Sequence, residues 1–250
     1  MKKRCFFGLG VCFLVACSSS PLASDLGGAG AGGAVNSGSA GSAGSAGASM
    51  CTAARATALG AVDSVSTGAV SVVSSSAGVT TLYVDATAGG MTDAATNPWT
   101  FVSLDSGSKV EVTDLSSVES TAWDLALKRS QIYTNSGDGG PGRGGAVLLD
   151  NAFDAVTSAD ADGVVFTPEK FFDGDCNPNV EMLTGALYTS FVDWYAYDEN
   201  THVLTPSAGT YLVHGGTGKL YELAFENYYA TPSGGTGNVS AAYLLKYKAL

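Results

Sequence analysis

Two histidines, His202 and His214, are the only imidazoles of the chain, so any histidine general base or histidine metal ligand must be one of them. Neither sits in a pattern that carries catalysis. The sequence holds no His-Glu-x-x-His and no nucleophile elbow, and nothing singles out one serine to partner a histidine and a distant aspartate. The chain is therefore expected not to be an enzyme. Oxygen donors alternate along Asp173-Gly174-Asp175-Cys176-Asn177-Pro178-Asn179, as they do in calcium loops. The glycine is misplaced for an EF-hand, and Thr184 stands where a bidentate glutamate is required. The expectation is a solvated turn without a metal. The glycine-rich run 137–145 lacks the Gly-Lys-Ser/Thr ending of a phosphate-binding loop and no strong helix follows it, so it reads as a mobile loop.

Cysteine chemistry is more informative. Lys2-Lys3-Arg4 is a basic start, followed by an uncharged apolar run that ends in Leu14-Val15-Ala16-Cys17. At about a dozen residues the run suits a signal-peptide core and falls short of the roughly 20 that span a bilayer. The terminal box is similar to a lipobox, in which the thiol of the cysteine accepts a diacylglyceryl group before the preceding bond is cut. Residues 1–16 are thus expected to be a lipoprotein signal peptide and Cys17 the lipidated residue, with several acyl chains giving firm membrane attachment. Ser18, where lipoproteins retained at the inner membrane carry aspartate, implies the outer membrane. Residues 18–50 are almost entirely Ser, Gly and Ala; they have little to bury and read as a disordered tether behind the lipidated cysteine. Once Cys5 and Cys12 leave with the signal, Cys51 and Cys176 remain as an even pair in an oxidising compartment. They form either a disulfide or two free thiols.

Residues 51–250 are left to fold, a normal size for one domain. The formal net charge of −11 and the scattered basic residues argue against nucleic acid and anionic head groups as partners. Period-two alternation marks strands. Val239, Ala241, Tyr243, Leu245 and Tyr247 should share one face, Tyr221, Leu223 and Phe225 another, and Trp123, Leu125 and Leu127 a third. Residues 191–197 are dense in aromatics, and residues 53–62 suit a short helix. Turn signals fall at Asn135-Ser136-Gly137, Asp198-Glu199-Asn200, Pro206-Ser207-Ala208-Gly209 and Ser233-Gly234-Gly235. Many short strands at this spacing imply an all-β, mainly antiparallel fold with few short helices.

Trp123-Asp124-Leu125-Ala126-Leu127-Lys128-Arg129, followed by Ile132-Tyr133-Thr134-Asn135-Ser136-Gly137, resembles the core signature of the HmuY-like family. The second half agrees in order: Trp194 to Tyr197, Pro206, Tyr211-Leu212-Val213, Gly218 to Leu223, Tyr228-Tyr229 and the closing strand to Tyr247. The resemblance spans residues 99–247. It implies a β-domain on an outer-membrane lipoprotein that captures haem and passes it to a receptor. Axial ligands of haem are usually His, Met, Cys or Tyr. His214, His202 and Met182 are the candidates, with His214 preferred because it ends a strand leading into Gly215-Gly216. If 201–205 and 210–214 form one hairpin, the two histidines point to opposite faces, and bis-histidine ligation needs another arrangement. The alternative is a surface interaction module for a protein or glycan.

Overall fold

A computed structural model describes residues 51–182 and 185–250. Cys17, the signal segment and the tether lie outside the described residues. The chain opens with α1 (Thr52–Ala58), then β1 (Val70–Ser76), β2 (Val79–Asp85), β3 (Thr100–Ser103), β4 (Ser108–Lys109), β5 (Leu125–Lys128), β6 (Gln131–Thr134) and β7 (Gly145–Leu149). It continues with β8 (Tyr195–Asp198), β9 (Val203–Pro206), β10 (Thr210–His214), β11 (Leu220–Asn227) and β12 (Ala242–Ala249). Every strand pairing is antiparallel. Three short 3-10 turns complete the regular structure of an all-β fold. No helix among the described residues is long and apolar enough to cross a membrane.

Six strands form one sheet in the order β1-β2-β12-β11-β10-β7, and four form a second in the order β4-β3-β5-β6. The main core contains Leu82 and Val84, Tyr221, Leu223 and Phe225, and Tyr243, Leu245 and Tyr247 from the first sheet. Val102, Leu125, Leu127 and Ile132 meet them from the second. A second core holds Phe101, Ala126 and Tyr133, neighbours across β3, β5 and β6 in register. They share it with Trp99, Trp123, Phe171 and Leu59. The smaller sheet is therefore covered on both faces, and all four residues of β5 are buried. Phe101, Trp123, Tyr133, Trp99 and Phe171 meet in a chain of edge-to-face contacts between 4.8 and 5.8 Å, a geometry that aromatic quadrupoles favour.

Four expectations need correction. Trp123 does not share a face with Leu125 and Leu127; it packs in the second core. It precedes β5, where the Asp124 carboxylate accepts from Leu104 N and Gly216 N, and its indole donates to Ser117 O at 3.0 Å. The segments 201–205 and 210–214 form no hairpin with each other: β9 pairs with β8, and β10 lies between β7 and β11. The turn that closes β8–β9 is built by Asp198, whose carboxylate accepts from Asn200 N and Thr201 N while its carbonyl accepts from His202 N. The glycine-rich run is pinned. Arg55 of α1 donates to Asp138 O and Gly139 O, and the Asn135 side chain accepts from Gly142 N. The closing strand begins at Ala242, because Ala241 takes positive φ and Val239 is exposed.

The sulfurs of Cys51 and Cys176 are bonded, joining the start of α1 to the turn at residues 173–177. In that turn Asp173 accepts from Asp175 N, Asn177 N and the Asn177 amide. Its oxygens serve the turn itself. No cluster of three or more metal-ligating side chains exists among the described residues.

Candidate functional site

Glu169 anchors the segment that follows β7. It is 4 % exposed, and its carboxylate accepts from Thr134 N and Oγ1 on β6 and from Ser190 N and Oγ. Burial raises its pKa, and the hydrogen bonds from Thr134 and Ser190 oppose that shift. This one buried acid fixes residue 190 against the sheet. Next to it Phe191 and Trp194 enter the main core, and the Trp194 indole donates to Ser130 O at 2.9 Å. Between the β5–β6 turn, residues 181–192 and β8 they leave a cleft of about 260 Å³. Its walls are mainly apolar and aromatic: Ile132, Leu187, Phe191, Trp194, Tyr195 and Tyr197. A larger cleft of about 470 Å³ adjoins it, sharing Ser130, Gln131 and Ala186 and running past Lys128 to Gly60.

The three candidate ligands fall differently about this groove. His202, in the left-handed region at φ 57° on the β8–β9 turn, is exposed. Its Nδ1 lies 2.5 Å from the hydroxyl of Tyr197, a lining residue of the smaller cleft, and its Nε2 has no hydrogen-bond partner among the described residues. Met182 is 95 % exposed and follows Glu181, another lining residue. His214 does not line the cleft. It ends β10 beside Gly145 of β7, its ring stacked on Phe166 at 4.0 Å, and burial lowers its pKa. His214 is thus half-buried against an aromatic ring, whereas His202 is open.

The family model for the HmuY protein matches residues 95–243, more than half of the chain. The chain belongs to the HmuY family. The matched region contains the whole smaller cleft, both histidines and Met182, but begins after α1, β1 and β2. No curated protein matches the sequence. Among solved structures, the chain is similar to a lipoprotein candidate from Bacteroides fragilis, with 16 % identity over 71 % of this chain and 94 % of the other, at TM-score 0.44. A candidate HmuY-like haem-binding protein from Bacteroides vulgatus shows 21 % identity over 68 % and 91 %, at TM-score 0.44. The apo form of an HmuY analogue from Tannerella forsythia shows 15 % identity over 67 % and 94 %, at TM-score 0.39.

Sequence reasoning found the HmuY signature but missed the residues that shape the groove. Glu169, Gln131 and Ser190 belong to no motif, because their roles arise only when β6 meets a segment far along the chain. Tyr197 was legible as an aromatic in a dense run, yet its bond to His202 depends on the turn that Asp198 closes.

Proposed function

We propose that this HmuY-family chain is a lipid-anchored, non-enzymatic binding protein that takes haem at the cleft between β6, residues 181–192 and β8. The observation that carries the reading is His202. Ligating histidines usually donate their second ring N–H to a neighbour, which sets the tautomer. In the tautomer whose Nδ1–H donates to the Tyr197 hydroxyl, Nε2 keeps its lone pair at the edge of an aromatic cleft. Met182 is the second donor that fits, a thioether beside the same lining. Bound haem would supply an iron centre with open axial positions and a strong visible absorption. The chain's own part is to flank the macrocycle with rings, to present an imidazole in one tautomer and to exclude water from the apolar face.

Supporting the anchored setting are the Leu14-Val15-Ala16-Cys17 box and the Ser/Gly/Ala tether. Cys17→Ala should abolish metabolic labelling with palmitate; unchanged labelling would remove the anchor from this reading. Delivery to an outer-membrane receptor is part of the same proposal. A second reading, an interaction module for a protein or glycan, draws on the exposed Met182, Tyr188, Val192, Tyr197 and Val203, of which Val192 and Tyr197 line the smaller cleft.

Absorbance titration separates the two. Wild type, His202→Ala, His214→Ala and the double variant are each titrated with haem. Wild type should give a sharp Soret band, and His202→Ala should shift it and weaken binding at least tenfold, about 1.4 kcal/mol. His214→Ala should resemble wild type. Four identical titrations would exclude histidine ligation, and weak, featureless uptake by wild type would put the interaction module first.

A further inference from the structure

Lys128 ends β5 and pairs in register with Gln131 across the turn into β6. Its side chain is nearly buried, at 7 % exposure, and its ammonium makes one hydrogen bond, to Gly60 O at 3.2 Å. The same Nζ lies 5.7 Å from the centroid of the Trp99 ring. An ammonium has three donors, so two are unmet. None of the ion pairs among the described residues includes Lys128. The carboxylate of Asp114 acts on it through space only, because its own oxygens accept from Val62 N and Trp99 N.

Burying a cation without a contact ion pair is costly, and such groups are normally paired. Here the cation lines the cleft of about 470 Å³. The chain has 23 acidic and 12 basic residues, yet no Asp or Glu lines this cleft, while Arg129 joins Lys128 there. The Arg129 guanidinium is held by Thr87 O, Ser240 O and Ser240 Oγ, so it adds charge and leaves Lys128 as the available donor. The rest of the lining is largely apolar or small, with Ala58, Leu59, Ala94, Ala95 and Trp99. Such a place favours an anionic group attached to an apolar body.

We infer that Lys128 receives a carboxylate of the ligand whose flat apolar body occupies the adjoining aromatic cleft. The inference rests on the reading that this adjoining cleft takes a flat ligand, and it adds the residue that receives the ligand's acid arm and so selects an acid over a neutral ring. Ser130, Gln131 and Ala186, shared by both clefts, mark where the acid arm passes from one to the other.

The test uses the full chain in detergent micelles and two iron-free probes, protoporphyrin IX and its dimethyl ester, followed by quenching of tryptophan fluorescence. Wild type should bind the acid at least about tenfold more tightly than the ester. In Lys128→Met that preference should fall to within about threefold, and Lys128→Arg should keep most of it. Taking the acid-to-ester ratio in wild type and variant removes the difference in micelle partitioning. A residue that merely fastens Gly60 would change stability and leave the ratio alone. Equal affinities in wild type, or a preference that persists in Lys128→Met, overturns the inference; if Lys128→Met does not fold, Lys128→Gln takes its place in the comparison. The haem reading fails separately, through weak, featureless uptake of haem by wild type. Uptake of neither porphyrin by wild type overturns the inference and leaves the haem reading to the haem titration.

Discussion

Asp114 is 2 % exposed and holds two backbone amides at once, Val62 N at 3.0 Å and Trp99 N at 2.9 Å. Burial nevertheless outweighs those bonds and the nearby Lys128 and Arg55, and pushes its pKa from 3.8 up to about 6. A folded pKa above the unfolded one means that the fold prefers the protonated form. The stability it contributes is complete below about pH 4 and is lost as pH rises through about 6, on the order of 3 kcal/mol in all. Urea unfolding of wild type and Asp114→Asn near pH 4 and near pH 7 should therefore show wild type losing that much relative to the variant as pH rises. Parallel pH dependences would show that Asp114 is charged throughout. In the sequence Asp114 looks like any acid of a polar turn, since nothing local tells that Trp99 will close over it. Cys51 and Cys176 were visible as a pair by elimination, but the acids that organise the interior were not.

At the scale of elements, alternation located β11 and β12 and their inward faces, because Tyr221, Leu223 and Phe225, and Tyr243, Leu245 and Tyr247, pack against a second sheet. It failed where both faces are buried. Glu222 opposite Lys248 reads as solvent-facing, yet Glu222 is 1 % exposed. The pairing of β9 was misread because Pro206–Gly209 and Asp198–Asn200 are equally good turn signals, and only the second closes a hairpin. The glycine-rich run shows the opposite error: composition suggests freedom, and packing removes it. A Cβ on Gly140 would stand 2.3 Å from Asn135 Oδ1 and 2.7 Å from the Trp123 ring. Gly140→Ala should lower stability by about 1–3 kcal/mol, the usual cost of overpacking. Gly174, with nothing within 4 Å and no positive φ, should accept alanine within about 0.5 kcal/mol. Thermal or urea unfolding of the two variants side by side checks this, and equal losses would mean that the loop yields.

The described residues stack three layers: the larger sheet, the smaller sheet, and a cover made of α1 with residues 171–182 and 185–187. Only the first two are held together by extensive strand-borne apolar surface. The cover contributes Leu59, Phe171, Phe172 and Leu187 to the second core, and α1 has seven residues, too few to persist alone in water. The Cys51–Cys176 bond ties its two halves together across a sequence separation of 125. The HmuY match begins at residue 95, so the bond fastens a helix from outside the matched region onto it. Closing so long a loop is worth up to about 5 kcal/mol in the chain-entropy model, and commonly 2–4 in practice. Replacing both cysteines with alanine should lower the unfolding free energy by about 2–4 kcal/mol and leave the β-type circular dichroism intact. The loss should also be uneven. Since α1 supplies Thr57 and Ala58 to the wall of the Lys128 cleft, its amides should exchange much faster, while those of β11 and β12 keep their protection until global unfolding. Uniform acceleration across helix and sheet would mean that the cover and the sandwich unfold as one unit, and that the disulfide stabilises the whole fold instead of one layer.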